Sequence, residues 1–179
     1  MVEGRHTDAA RYARFAIRDA ARVSGPNSED LGLANLRAAQ AARERGDRAG
    51  AHALTRRAAE IFSRLPVRHA AVREALALNE AELLLDDGAA AAALALLTDT
   101  ASLQQQTRLR SASIDPRGRW LVAMGRAHIA AGDAAAGLPL LQKAHAWRGR
   151  IYGFAVPMQQ ALARQIATVQ AETGKTSKL

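Results

Sequence analysis

The five histidines are the first residues to consider for chemistry, because an imidazole can bind a metal ion or move a proton. They are His6, His52, His69, His128 and His145. No two of them stand four residues apart on one helix, which is the spacing of helical metal sites. The chain also has no cysteine, which excludes thiolate ligands and cysteine nucleophiles. We therefore expect no metal site and no cofactor, with the histidines as packing or surface residues.

Carboxylates concentrate at Glu80, Glu82, Asp86 and Asp87. Glu80 and Asp87 share a helix face, but a catalytic pair needs burial to separate its two pKa values, and nothing here predicts burial. A solvated acidic face is the better interpretation. No glycine-rich phosphate loop follows a strand, and no serine sits in an elbow motif. We expect no catalytic residue, and hence a protein that is not an enzyme.

Two tryptophans, Trp120 and Trp147, lie beside Arg119 and Arg148. An arginine next to an aromatic ring can stack a nucleic-acid base or anchor a peptide. A tryptophan can equally fill a gap between helices, and we favour that interpretation.

Charge is segregated along the chain. Residues 1–73 carry 14 Arg against 8 acids, residues 74–107 carry six acids and no cation, and residues 108–179 carry 11 cations against 3 acids. Arginine supplies nearly all of the positive charge and pairs bidentately with carboxylates as well as with phosphates. The basic ends therefore suit an acidic protein segment or a nucleic acid, while the acidic middle interrupts any continuous phosphate track.

The composition favours a helical protein. Alanine is abundant, aromatic residues make up 4% of the chain, and no useful stretch alternates apolar and polar residues with the period of a strand. The start of the sequence lacks the apolar core of a signal peptide, and no apolar run is long enough to span a membrane. These features, with the absence of cysteine, lead us to expect a cytoplasmic protein with no membrane association.

The apolar spacing predicts about eight helices in one domain over 1–179. The layout is one helix over 7–23, three helix pairs over 28–65, 67–105 and 115–149, a closing helix over 155–172 and a polar tail over 173–179. Within it, 106–114 is predicted as a linker, Asp115 as a cap and 149–155 as a loop. Short connections make paired helices antiparallel.

Three turns recur about 40 to 46 residues apart, at Arg45-Gly46-Asp47, Asp86-Asp87-Gly88 and Ala131-Gly132-Asp133. Each separates two helical runs, so the recurrence predicts a repeat of helix pairs. A generic helical bundle is the less favoured alternative.

The run from Leu121 to Ala144 resembles a tetratricopeptide repeat. Met124-Gly125 matches the large-small pair of the family's first helix, His128 stands at its aromatic position, and Gly137, Leu141 and Ala144 match the small-large-small series of its second helix. The spacing is similar to that of the longer kinesin-light-chain-like variant of bacterial repeats, of about 42 residues. The resemblance implies an all-α fold, a right-handed α-solenoid of antiparallel helix pairs.

The resemblance also implies where a partner binds, because ligands of this family lie along the first helix of each pair. The matching positions are Gln40, Arg43, Arg73, Glu80, Arg119 and Arg126. This set is mainly basic, which favours an acidic peptide or protein segment. The implied function is a protein–protein interaction module, either a small adaptor or the sensor or scaffold part of a larger polypeptide.

Two alternatives stay open. A nucleic-acid-associated or transcription-regulatory helical repeat would use the arginine-rich ends. A homodimer would form through the terminal helices if Leu162, Ile166 and Val169 are not covered by the preceding helix.

Overall fold

The computed structural model describes the backbone of residues 3–65, 70–107 and 116–176, and the side chains of 11–65, 70–101 and 117–174. Within these ranges there are eight α-helices and no strand. The helices are α1 (Glu3–Val23), α2 (Glu29–Glu44), α3 (Arg48–Ser63), α4 (Ala70–Asp86), α5 (Ala90–Thr107), α6 (Pro116–Ala130), α7 (Ala134–Tyr152) and α8 (Pro157–Thr176). The predicted all-α class is confirmed.

The chain divides into two compact units. One comprises Met1–Leu83 with Thr100–Arg110, and the other comprises Leu84–Asp99 with Ser111–Leu179. In the first unit α1 packs on α2 and α2 on α3, and in the second α6 packs on α7 and α7 on α8.

The recurring turns are built by a glycine that ends one helix. Gly46, Gly88 and Gly132 have φ values of +80°, +79° and +88°, a left-handed region that glycine enters without a Cβ clash. In two of the turns the next residue caps the N-terminus of the following helix. Asp47 accepts a hydrogen bond from the Gly50 N–H at 2.9 Å, and Asp133 accepts one from the Ala136 N–H at 3.0 Å. One Gly-Asp dipeptide therefore ends one helix and caps the N-terminus of its antiparallel partner.

Small residues allow α6 and α7 to pack closely. A Cβ on Gly137 would lie 2.5 Å from the carbonyl oxygen of Gly125, so the two backbones meet at this point. Leu141 and Ala144, on the same face of α7, are wholly buried. The structure thus gives a physical reason for the small-large-small series in the sequence.

Each unit has an apolar core made by successive helices. In the first, Leu36 of α2 packs with Ala58 and Phe62 of α3 and Val72 of α4. A second cluster there joins Ala42, Ala51 and Leu83. In the second unit, the core contains Leu121, Val122, Leu141, Ala144 and Leu162, with Trp120, Ile129, Leu140 and Ile166 packed against it.

The helix ends differ from the predicted bounds at several places, and α5 runs to Thr107, two residues into the predicted linker. Helix α1 begins at Glu3 rather than at residue 7, and α8 continues into the predicted tail, to Thr176. Helix α7 extends through Tyr152, where the sequence predicted a loop from Gly149. Gly149 lies within α7. The ring of Phe154 lies directly over it and leaves no room for a Cβ, so a glycine is required there. Residues 108–114 of the predicted linker and the Asp115 cap lie outside the described residues.

Candidate functional site

In the first unit, an ion pair joins the first helices of two successive pairs. Arg43 of α2 places Nη2 3.2 Å from Oε2 of Glu82 on α4, and the two side chains are 18% and 13% exposed. At this burial the pair is screened less by solvent than a surface ion pair. The sequence singled out Arg43 but not its partner, because Glu82 is 39 residues further along the chain.

Gln40, Arg73 and Glu80 lie on the same two helices. The Nε2 of Gln40 donates to Oε1 of Glu44 at 3.1 Å, a bond within α2 at the surface. Arg73 is exposed on α4, and Glu80 lies two turns later on the same face, partly buried. Burial raises the pKa of the Glu80 carboxyl above its ordinary value. These helices therefore carry both charges, with Glu82 offsetting Arg43.

In the second unit, an arginine again connects successive first helices. The Nε of Arg126 on α6 donates to Oε1 of Gln165 on α8 at 3.0 Å, across a separation of 39 residues. The ion pair between Arg43 and Glu82 spans the same number of residues. Arg119 stands two turns before Arg126 on α6 and is half-buried. The sequence does not indicate Gln165, because its pattern predicts α8 only as a closing helix.

The six predicted residues are therefore divided between the units. Four of them, Gln40, Arg43, Arg73 and Glu80, lie on α2 and α4 of the first unit, and Arg119 and Arg126 lie on α6 of the second. All six are on helices that begin a helix pair, as the resemblance implies. Their use as one binding groove stays a prediction.

The tryptophans have two different environments. Trp120 packs against the core of the second unit, as the sequence favoured. Trp147 instead meets two guanidinium groups, with Arg117 Cζ 4.7 Å and Arg150 Cζ 5.7 Å from the centroid of its ring. Arg148 is adjacent to Trp147 in the sequence, and Arg150, one turn further along α7, lies near its ring in the structure.

Histidine side chains lie at packing positions in the second unit. His128 Nδ1 is 3.5 Å from Oδ2 of Asp133 in the turn after α6, and the ring of His145 is 5.3 Å from that of Phe154. Of the remaining histidines, His52 is half-buried, and the side chains of His6 and His69 lie outside the described residues. Where side chains are described, no three His, Asp or Glu residues cluster closely enough to hold a metal ion.

The apolar stripe of α8 is covered. Leu162 and Val169 are buried, and Ile166 packs against the cluster that contains Leu141 and Ala144 of α7. These three side chains are therefore used inside the second unit. Among the described helices, none is both long and apolar enough to cross a membrane.

The comparisons with solved structures find helical-repeat proteins. The chain is similar to BtubC (BKLC) from P. vanneervenii, with a TM-score of 0.60 and 18% identity over 86% of this chain and 60% of that one. It is also similar to a putative kinesin light chain with nearly identical TPR-like repeats from Podosopora anserina, with a TM-score of 0.56 and 17% identity over 97% of this chain and 90% of that one. No protein-family profile and no curated protein matches the sequence.

The chain thus spans 60% of the length of BtubC. At these identities the likeness concerns the fold, and it confirms the predicted resemblance to tetratricopeptide-like repeats.

Proposed function

We propose that this chain is a non-enzymatic protein-interaction module, an adaptor, scaffold or sensor domain that binds an acidic peptide or protein segment along its first helices. The fold supports the general role, because stacked helix pairs present extended surfaces that are suited to binding. The absence of cysteine is compatible with the cytoplasm, where we place the protein, and the proposal needs no cofactor.

The observation that carries this proposal is the pair of arginine contacts between successive first helices. Arg43 is held by Glu82, and Arg126 is held by Gln165. Each contact fixes a guanidinium on the helices where the tetratricopeptide resemblance places ligands. A side chain that is already fixed loses less conformational entropy when a partner binds.

The positive charges on the first helices favour an acidic segment as the partner, and those of the second unit contribute most. Helix α6 contributes Arg119 and Arg126 and has no acidic residue, whereas on α2 and α4 Glu80 and Glu82 offset part of the positive charge. Guanidinium groups bind carboxylates through paired, charge-assisted hydrogen bonds. We expect Arg119 and Arg126 to contribute more to affinity than Arg43.

Fluorescence anisotropy with labelled peptides tests this proposal. A peptide rich in Asp and Glu should bind, and a peptide of equal length rich in Lys should not. The double variant Arg119→Gln and Arg126→Gln should weaken binding by about 100-fold, since each charge-assisted hydrogen bond contributes about 1.5 kcal/mol or more. The matched control is Arg56→Gln with Arg57→Gln, which removes two exposed arginines of α3. Equal losses in the two variants would indicate non-specific attraction and refute the proposal.

The second candidate is nucleic-acid binding through the arginine-rich ends. Its support is the excess of cations in 1–73 and 108–179, and its weakness is the intervening stretch with six acids. Binding of random-sequence single-stranded DNA or RNA should then fall steeply with salt. No binding at about 50 mM salt, where phosphate contacts are strong, would eliminate this candidate.

A further inference from the structure

One end of the second unit is basic and apolar. It is the end at which α6 begins, α7 ends and α8 begins, and we call it the basic end. Its exposed cations are Arg117 and Arg150, and both contact the ring of Trp147. Neither forms an ion pair with a carboxylate in the described part of the chain. The ring of Trp147 therefore positions both positive charges.

Three large apolar side chains are exposed at the same end. Ile151 and Met158 are each 41% exposed and Phe154 is 56% exposed. Phe154 is nevertheless fixed, because its ring lies over Gly149 and beside the ring of His145. No charged residue occurs between Arg150 and Arg164. Several exposed apolar side chains beside fixed cations are typical of an interaction surface.

The acidic residues of α6, α7 and α8 cannot neutralise the basic end. Asp133 lies in the turn between α6 and α7, and Glu172 lies near the end of α8. Both positions are at the opposite end of these antiparallel helices. A carboxylate that neutralises the basic end must therefore come from outside α6, α7 and α8.

The same sequence contains a complementary surface around α5. Asp87 in the turn before α5 and Asp99 on the helix are exposed, and so are Ala91 and Ala95. Ala91, Ala95 and Asp99 follow each other at four-residue intervals, so they share one face. No Lys or Arg occurs anywhere in 74–107. We call these four residues the acidic face; its alanines leave room for larger apolar side chains.

We propose that the basic end binds the acidic face of a second copy of this chain. Charge complementarity selects this occupant, since the basic ends of two copies would repel each other. The interface is heterologous, because each copy contributes a different surface. Few side chains take part, so the association is weak, reversible and sensitive to salt. It is independent of the proposed function, which uses neither Arg117, Arg150 nor Asp99.

Sedimentation equilibrium of the whole chain tests the proposal over about 10 μM to about 1 mM, a range that brackets weak interfaces. At an ionic strength of about 0.05 M the average mass should rise with concentration, and at about 0.5 M it should return toward the monomer. The monomer has a mass of 19.1 kDa. A wild type that remains monomeric throughout overturns the proposal.

Charge reversal identifies the two surfaces. Arg117→Glu with Arg150→Glu should give a monomer, and so should Asp87→Arg with Asp99→Arg. Mixing these two double variants should restore association, because the unaltered basic end of one variant can bind the unaltered acidic face of the other, and the two reversed surfaces are also opposite in charge. The control, Arg14→Glu with Arg56→Glu, changes two exposed arginines elsewhere and should associate like the wild type. Circular dichroism checks that each variant is folded.

The apolar part of the interface is tested by Phe154→Ser, which should weaken association about tenfold, as expected for removing a partly buried aromatic contact. Association that survives both charge reversals, or a mixture that stays monomeric, contradicts the proposal. A monomeric wild type that binds an added polyglutamate peptide in a manner abolished by Arg117→Glu and Arg150→Glu also overturns it. That result would assign the basic end to a foreign acidic segment.

Discussion

Replacing Gly137 with alanine should destabilise the second unit, although alanine is the better helix former. The new methyl group would lie 2.5 Å from the Gly125 carbonyl oxygen, 2.6 Å from Cγ1 of Ile129 and 3.1 Å from the Ile129 nitrogen. The Ile129 side chain can rotate, but the two backbone atoms move only if α6 as a whole moves. The contact between α6 and α7 must therefore widen.

The magnitude follows from two opposing effects. Overpacking a tight contact costs up to about 3 kcal/mol, and exchanging glycine for alanine in a helix interior returns about 1 kcal/mol. The net expectation is a loss of about 2 kcal/mol in the free energy of unfolding. Because the contact involves backbone on both helices, steric overlap determines the sign.

Gly174 provides the matched control. It is helical, lies on α8, and a Cβ built on it meets no atom within 4 Å. Gly174→Ala should therefore be neutral or stabilise the protein by up to about 1 kcal/mol. Urea denaturation followed by far-UV circular dichroism measures both variants. If Gly137→Ala is as stable as Gly174→Ala, the close packing of α6 on α7 is wrong.

Three further substitutions test the caps and charges. Asp133→Ala should cost about 1 kcal/mol, because it removes the side chain that caps α7, and thermal unfolding would detect this as a lower Tm. Glu80→Gln should raise the free energy of unfolding at about pH 7 but leave it unchanged below about pH 4. Burial raises the pKa of this carboxyl, so its charged form destabilises the folded state once the pH rises above the ordinary value of 4.5. An equal gain at both pH values would argue against burial as the cause. Arg43→Ala should lower the free energy of unfolding by about 2 kcal/mol, measured by chemical denaturation, because it leaves Glu82 without this cation. The control, Arg57→Ala, removes an exposed ion pair and should lower it by less than about 0.5 kcal/mol. Equal costs would show that the burial of the Arg43 pair has no energetic consequence.

The repeating parts of the fold were predictable because their signals are local. Gly132 and Asp133 are adjacent in sequence, and together they end α6 and cap α7. Gly125, Gly137 and Leu141 belong to two helices joined by a short turn, so their spacing alone indicates which faces meet. These constraints act within about one repeat, and the sequence shows them directly.

The end of α7 was not predictable in the same way. Gly149 looks like a helix terminator, and glycine is indeed common at helix ends. Here a Cβ is excluded, because the ring of Phe154, which follows the helix, packs back over Gly149. Only the tertiary contact shows that the glycine serves packing, while Gly153, at φ +80°, is the residue where the helix ends.

The contacts of two predicted site residues could not be predicted from the sequence. Position within the repeat singled out Arg43 and Arg126, but their partners Glu82 and Gln165 each lie 39 residues further along the chain. A side-chain contact over that distance depends on how consecutive helix pairs stack. The repeat pattern therefore indicates the two cations, whereas Glu82 and Gln165 emerge only from the folded structure.

The proposed binding of an acidic segment is tested most directly by mapping a bound peptide onto the protein by NMR. An isotope-labelled sample would be titrated with a peptide rich in Asp and Glu, and amide shifts followed along the chain. We expect the largest shifts on α6 around Arg119 and Arg126, with others on α2, α4 and α8. Shifts confined to α3 and α7, or absent from α6 while the peptide binds, would contradict the assignment of the first helices as the binding surface.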